Sequence, residues 1–512
     1  VVEEESKTEK GLPKLETWLL SFIATCVLLL HTVALERFGF FRDELYYLAN
    51  AARLDWGYVD HPPLCVWILK GFTTVLGEQL WVVRLPVVLA GCALVFMAGL
   101  LAREFGGGRR AQLMAAVLVA AAPVYRVVGH LYAMNGFDVL FWAVAILVFT
   151  RLMKDPKPWR WLALGAIIGL ALLNKFSVLW LVAGLLVAVL VSDRRKILLS
   201  PWPYAAALLS LAIIAPHLVW QAHHGWPTSE FVRNANSHKL LETTPITFLF
   251  VQFAVMNPVT FPLWLLFVGV AWSKKEWRPV AAIFATVVLI LLINGRSREN
   301  YLSPAYAAIV GPGVVRLESW LREKRDFLYR AGLSVAVLAG VATSLVVMPI
   351  LDQEQLRKLY NIWPHATPQA ERGAKGDLKG LADMHGWQEL HDVTKKVYDS
   401  LSREDQARVS VYGHNYGEAA AIQHFSKGLW EPRVIGPHNN YWLWGPGDWN
   451  GEVLIVVGAM AQEHQALFES YEVVARNNAP WAVPEEANAP VAIARGLRIP
   501  VSEFWEKVKR LE

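Results

Sequence analysis

Two acidic residues stand side by side in this chain, Asp43 and Glu44, with Arg42 just before them. They lie at the exit of a long apolar run. A carboxylate at a lipid–water boundary can orient an acceptor hydroxyl or take its proton. Adjacent residues on a helix diverge by about 100° and do not face one point. The pattern therefore suits one reacting carboxylate and one supporting residue, and not a paired acid/base dyad. Acidic residues also suit a helix N-terminus, so a solvated cap is the competing reading. Asp138 lies just inside the apolar run 137–153, beside Asn135. A carboxylate there is costly unless it faces a wet cavity or a partner, and it can converge with Asp43 on one cavity. The alternative is a helix start with Asn135 as its N-cap.

Cations come next. Lys175 sits between two short apolar runs with only Asn174 beside it. A lysine is a good point charge for a phosphate, though snorkelling also accounts for it. Arg296, Arg298 and Tyr301 form a second basic-aromatic group. Asp60, His217 and His223 leave a divalent metal open, but their spacing matches no metal-ligand pattern. His223 and His224 are adjacent, which suits chelation poorly.

The elements that position these groups are membrane helices. The chain is 54% hydrophobic and only 18% charged, whereas soluble domains carry about 25% charged residues. A membrane helix needs roughly 20 apolar residues. Apolar runs at 18–34, 80–102, 111–128, 137–153, 161–173, 176–191, 204–220, 248–271, 280–293, 301–315 and 327–350 predict about eleven spans. The stretch 41–64, FRDELYYLANAARLDWGYVDHPPL, joins the first two. Its residues 44–54 have helical spacing and suit an amphipathic helix lying on the membrane. Pro62 and Pro63 break it, and 64–76 reads as a short interfacial or re-entrant helix.

Loop charge fixes the sidedness. Arg103, Arg109 and Arg110, then Lys154, Lys157 and Arg160, then Arg194, Arg195 and Lys196, then Lys274, Lys275 and Arg278, then Arg322, Lys324 and Arg325 fall in every even-to-odd loop. Basic loops are cytoplasmic. The stretch 41–64, Asn135, Lys175 and 294–300 then face outward, and so does everything after the last span. The net charge of +5 is explained by these loops and not by nucleic acid. The acidic start VVEEESKTEK is not the basic region of a signal peptide, so the first apolar run reads as a retained helix.

Two domains are expected: a membrane body over 1–350, with its first external loop at 37–79, and a water-exposed α/β domain over 351–512. The latter shows strand-like 408–412, helical 417–425 and strands near 434–435, 452–457 and 471–475. It has no cysteine, hence no disulfide framework or cysteine zinc site. Its loop 438–451, HNNYWLWGPGDWNG, is read equally well as sugar- or lipid-facing or as a packed cover over the membrane body.

The Asp-Glu pair followed by HPPL resembles the first external loop of the polytopic GT-C glycosyltransferases. The similarity is to the bacterial protein mannosyltransferase-like and aminoarabinose transferase-like enzymes, of the family 39/83 type. Asp138, Lys175 and 295–301 support it, as do NYGEAAAI (415–422) and HNNYWLWGP (438–446). The resemblance implies a polyprenyl-phosphate sugar donor, a lipid, glycan or protein acceptor, and single displacement with inversion. It implies a site on the outer face of a bacterial cytoplasmic (inner) membrane. Asp43 is then the catalytic carboxylate, with Glu44 beside it and Asp138 as second acid. Arg42, His61, Lys175, Arg296, Arg298 and Tyr301 would meet donor phosphate or substrate. Aminoarabinose transferases carry a lysine where this chain has His61, so their substrate does not transfer with the motif. A transporter or flippase of lipid-linked sugars is the competing class, but no internal repeat is present. A non-enzymatic receptor or assembly scaffold is a third.

Overall fold

The structure is a computed structural model and describes residues 11–321, 326–362 and 376–512. The basic loop 322–325 and the acidic start lie outside the described residues. Helices make up the first two thirds: α1 (Thr17–Thr32), α2 (Arg42–Ala52), α3 (Leu64–Leu76), α4 (Leu80–Glu104), α5 (Arg109–Ala121), α6 (Pro123–Val128), α7 (Met134–Lys154) and α8 (Pro158–Leu172). They continue with α9 (Val178–Leu190), α10 (Trp202–His223), α11 (Pro227–Asn234), α12 (Pro245–Val255), α13 (Phe261–Ala271), α14 (Arg278–Asn294), α15 (Ala307–Leu321) and α16 (Asp326–Val347).

Among the described residues, four helices (α4, α7, α10 and α16) are long and apolar enough to cross a membrane. Seven more are apolar but shorter, so length alone does not give the eleven spans expected from sequence. Proline accounts for part of the shortfall. Asn257 precedes Pro258, which disfavours the helical region for the residue before it, and Asn257 adopts φ +75°. The expected span 248–271 is thereby cut into α12 and α13. Pro123 divides 111–128 into α5 and α6 in the same way.

Ion pairs gather the basic loops at one end. Buried Glu104 accepts from Arg151 at 3.0 Å and Lys154 at 2.8 Å. Asp193 pairs with Lys275 at 2.9 Å, and Arg110 meets Asp326. The opposite end collects α2, the start of α3 and the segments around Lys175 and Tyr301. There the Leu64 N–H bonds Leu173 O at 2.9 Å, and Lys175 bonds Asn135 at 2.6 Å.

After α17 (Gln353–Ile362) come α18 (Trp387–Asp399), α19 (Arg403–Arg408) and α20 (Tyr416–Phe425), interleaved with strands. The strands are β1 (Ser410–Gly413), β2 (Arg433–Ile435), β3 (Val453–Val457), β4 (Phe468–Arg476) and β5 (Pro490–Leu497), in spatial order β2-β1-β3-β5-β4. The β2-β1-β3 part is parallel and β5 runs antiparallel to both neighbours. Strand β5 is absent from the sequence reading, yet it is the strand that joins β3 to β4.

Helix α2 does not lie on lipid. Its Leu45, Tyr46 and Ala49 belong to the core of the sheet layer, with Trp387, Ile422 and Tyr441. Its Tyr47, Leu48 and Ala51 belong to a second core, with Val66, Val83 and Tyr132 of the helical body. Both stripes recur at helical spacing, so a sequence pattern that suits a membrane surface suits two protein surfaces equally well. Burying a leucine contributes about 1.5–3 kcal/mol, and Leu45 and Leu48 each bind α2 to a different layer.

Candidate functional site

The first turn of α2 is fixed before Asp43 can act. The Phe41 N–H donates to Glu44 Oε2 at 2.8 Å. Arg84, a charge inside the apolar run of α4, donates from Nε to Glu44 Oε1 and from Nη2 to Oε2, both at 2.9 Å. Its other bonds go to Leu35 O and Gly39 O. The Tyr132 N–H adds a further bond to Glu44 Oε1 at 3.0 Å. Both charged side chains are fully buried. Glu44 thus has its oxygens filled by protein donors, whereas Asp43, one residue earlier, keeps 39% of its side chain exposed. Their divergence on the helix surface separates the two environments.

Asp43 meets the C-terminal layer. The Tyr416 hydroxyl donates to Asp43 Oδ1 at 2.8 Å. Arg42 packs with its guanidinium 5.5 Å from the Tyr416 ring and its Nη1 3.6 Å from Asp383. Burial pushes the Tyr416 phenol well above its usual range, so it stays a donor.

Asp138, Lys175 and Tyr301 come together as a second group. The Ser177 hydroxyl donates to Asp138 Oδ2 at 2.9 Å, and Lys175 Nζ lies 3.4 Å from the same oxygen. The Lys175 ammonium stands 5.5 Å from the Tyr301 ring. The other oxygen of Asp138 is buried, and the Trp142 indole N–H faces the same carboxylate. This group abuts α2: Tyr132 bonds Glu44, and the Met134 N–H bonds the Tyr47 hydroxyl at 3.3 Å. Met134 is one helical turn before Asp138. Asn135 does not cap α7; it takes the Lys175 bond.

Arg296 is not in that group. It bonds Asn236 O and Glu242 on the wall of a separate cleft of about 460 Å³, which also includes Thr244 and Asn294. Arg298 is the N-cap residue of the 3-10 helix Glu299–Tyr306 that carries Tyr301.

His61 is enclosed. Its ring stacks on Tyr47 at 4.7 Å and contacts Tyr46 and Tyr58. It also bonds Asn50 and Pro62 O. Burial alone would lower the imidazole, but Asp60 at 3.9 Å, with Cys65 and the Pro62 carbonyl, holds it up at about 9. The His217 Nδ1–H donates to Trp56 O at 2.8 Å and docks α10 on the α2–α3 loop. Gly57 makes that approach feasible, since a Cβ there would fall 2.4 Å from the Trp220 ring. His223 is exposed. Among the described residues no three His, Cys, Asp or Glu side chains gather in a metal-holding group. Asp60, His217 and His223 do not form such a group: His217 Nδ1 is used on Trp56 O while its buried Nε2 has no hydrogen-bond partner among the described residues, and His223 is exposed.

The loop 438–451 does two things. Asn440 accepts the Val59 N–H at 2.8 Å and donates to Asn50 Oδ1 at 2.8 Å, while its own N–H bonds the Tyr46 hydroxyl at 3.2 Å. Tyr46 in turn donates to Asp60 at 3.1 Å. Of the following residues, Tyr441 and 444–448 line a cleft of about 320 Å³ with Arg53, Gln423 and Arg433.

Tyr416, Arg84 and Asn440 are not among the candidate site residues read from the sequence, although Tyr416 and Asn440 lie within the stretches 415–422 and 438–446. Two of them carried signals. An arginine within an apolar run is a functional or structural marker by its cost. The order Asn415-x-x-Glu418 is a capping box that singles out the turn bearing Tyr416.

Residues 60–220 match the family described as dolichyl-phosphate-mannose-protein mannosyltransferase. The chain is 24% identical over 334 residues to the lipid A galacturonosyltransferase RgtD of Rhizobium johnstonii, covering 62% of this chain and 67% of that one. It is 26% identical over 380 residues to the undecaprenyl phosphate-alpha-4-amino-4-deoxy-L-arabinose arabinosyl transferase of Pseudomonas paraeruginosa, covering 66% and 67%. In fold it is similar to ArnT from Cupriavidus metallidurans in the apo state, with TM-score 0.61 and 16% identity over 94% of this chain and 98% of that one. The same protein bound to undecaprenyl phosphate gives TM-score 0.58 at 15% identity, covering 93% and 98%.

Proposed function

We propose that this chain, a membrane glycosyltransferase of the GT-C fold, moves a sugar from a polyprenyl-phosphate donor to an acceptor hydroxyl on the outer face of a bacterial cytoplasmic membrane. Asp43 is the reacting carboxylate. The acceptor oxygen bonds to the anomeric carbon as the bond from that carbon to the phosphate oxygen breaks. The hydroxyl proton passes to Asp43, and the electron pair leaves on polyprenyl phosphate. One reacting carboxylate suits one displacement; a covalent intermediate would want a second carboxylate about 5 Å away. Lys175, already shared by Asp138 and Asn135, stabilises the charge developing on the leaving phosphate. Asp138 holds that lysine. Glu44 supports Asp43 and does not touch substrate. Arg296 lines a separate cleft, and Arg298 is the N-cap residue of the 3-10 helix that carries Tyr301, so the contact with the donor phosphate is assigned to Lys175.

One observation carries this reading. A half-exposed carboxylate stands on a segment that abuts a group of buried Asp138 with partly exposed Lys175 and Tyr301, in a fold shared with a protein crystallised with undecaprenyl phosphate. The acceptor is a lipid or envelope glycan, as in the name of the lipid A transferase. The test uses detergent-purified protein, lipid A as acceptor and a panel of undecaprenyl-phosphate sugars: 4-amino-4-deoxyarabinose, galacturonic acid and mannose. Release of undecaprenyl phosphate is the readout, which a transporter would not give. Asp43→Asn should fold and bind donor but lose about 10²–10⁴-fold in turnover, the usual share of a general base. Full turnover in that variant removes Asp43 from the chemistry.

A further inference from the structure

The residue that touches Asp43 comes from 373 positions away in the chain. Everything around it is arranged to hold it there. Tyr416 is the first residue of α20, and that helix start is doubly capped. Asn415 accepts the Glu418 N–H at 2.9 Å, and Glu418 accepts the Asn415 N–H at 2.8 Å. The Asn415 amide also donates to Glu486 at 2.8 Å, which fixes the turn to the segment before β5. Gly417 lets α20 close on α2, because a Cβ there would lie 2.5 Å from Arg42 Cγ. The Tyr416 ring is held by Tyr46 at 4.7 Å and His438 at 4.8 Å. The hydroxyl is thus placed without freedom, and it uses only one oxygen of Asp43. The carboxylate remains 39% exposed, so its second oxygen is left for an incoming hydroxyl.

We propose that Tyr416 is a positioning residue of the transferase site, so that the C-terminal layer orients the reacting carboxylate as well as covering it. The inference rests on the reading of Asp43 given above. A hydrogen bond to a charged acceptor is short and directional. Here it selects one rotamer of Asp43 and keeps one oxygen aimed at the acceptor. Loss of the bond frees the carboxylate to turn, and misplacement of a reacting group by about 1 Å can cost 10²-fold. Donor affinity is set elsewhere, at Lys175 and Tyr301, and stays.

The experiment compares the purified protein with its Tyr416→Phe and Asp43→Asn variants on the donor panel with lipid A as acceptor. Tyr416→Phe keeps the ring and its packing and removes only the O–H. The expected result is kcat lowered about ten- to hundredfold, donor KM within about twofold, and an unchanged Tm. A purely structural role would move KM and Tm together. Replacement of Tyr416 by 4-aminophenylalanine, which keeps a donor, should restore most of kcat, and failure to do so overturns the proposal. So does wild-type kcat in Tyr416→Phe when Asp43→Asn is inactive. Wild-type turnover in Asp43→Asn instead removes the underlying reading and this inference with it.

Discussion

Replacing Arg84 by methionine tests the support beneath Asp43. Arg84 and Glu44 are both fully buried and share two bonds of 2.9 Å. The substitution keeps an unbranched apolar side chain in α4 but leaves the Glu44 carboxylate buried without its cation. Breaking a buried pair from one side costs about 3–5 kcal/mol. The carbonyls of Leu35 and Gly39 also lose their donor, which adds about 1–3 kcal/mol for each one that water does not reach. Two bonds from the Phe41 and Tyr132 N–H groups to Glu44 remain, and they hold the loss toward the lower end. Unfolding entropy grows with chain length, and for 512 residues about 1 kcal/mol corresponds to roughly 1 °C in Tm if the chain unfolds as one unit. The expected drop is therefore about 4–8 °C in scanning fluorimetry of the detergent-purified protein. Turnover should fall as well, because the turn that presents Asp43 is no longer fixed. Arg84→Met/Glu44→Leu should recover part of the Tm, since it removes the stranded charge, but none of the turnover. An Arg84→Met variant with Tm within about 1 °C of the parent and unaltered kcat would refute the reasoning.

Two other outcomes follow from single groups. Asn440→Ala strands the Val59 N–H and Asn50 Oδ1 in a buried interface, a cost of about 1–3 kcal/mol for each; hydrogen exchange should rise at 58–60 and 438–446 while β3 stays protected, and unchanged exchange at both segments rejects the bond's role in docking. Glu486 is raised from 4.5 to about 7, chiefly by burial. The folded state therefore binds its proton more tightly than the unfolded chain, and stability falls as pH rises from about 4.5 to about 7. Glu486→Gln should flatten that slope and raise Tm at pH 8, and an unchanged Tm-versus-pH curve counts against it.

Much of the site was legible because its signals are local. Asp43, Asp138 and Lys175 announce themselves as charges where apolar runs end, and burial cost makes such charges rare without a use. Tyr301 is drawn in by the same logic, and it does join Lys175. The cluster at one end is also legible, since basic loops alternate with polar ones, and the ion pairs of Glu104 and Asp193 gather those basic loops together. Arg296 shows where the logic stops: it shares the polar end but faces its own cleft. His217 and His223 look like ligands by type, yet among the described residues no further ligands gather with them, and His223 is exposed.

The sequence by itself determined a helical membrane body, a C-terminal α/β layer and a short list of charged residues at one end of the body. Hydropathy and charge add up along neighbouring residues, so they survive in one dimension. Only the tertiary structure decided what separates Asp43 from Glu44. One is enclosed by Arg84, from a different helix, and by the backbone of Phe41 and Tyr132. The other meets a tyrosine from the far end of the chain. Such choices depend on which surfaces dock. A hydrogen bond acts only within about 3.5 Å, a distance that separation along the chain does not encode.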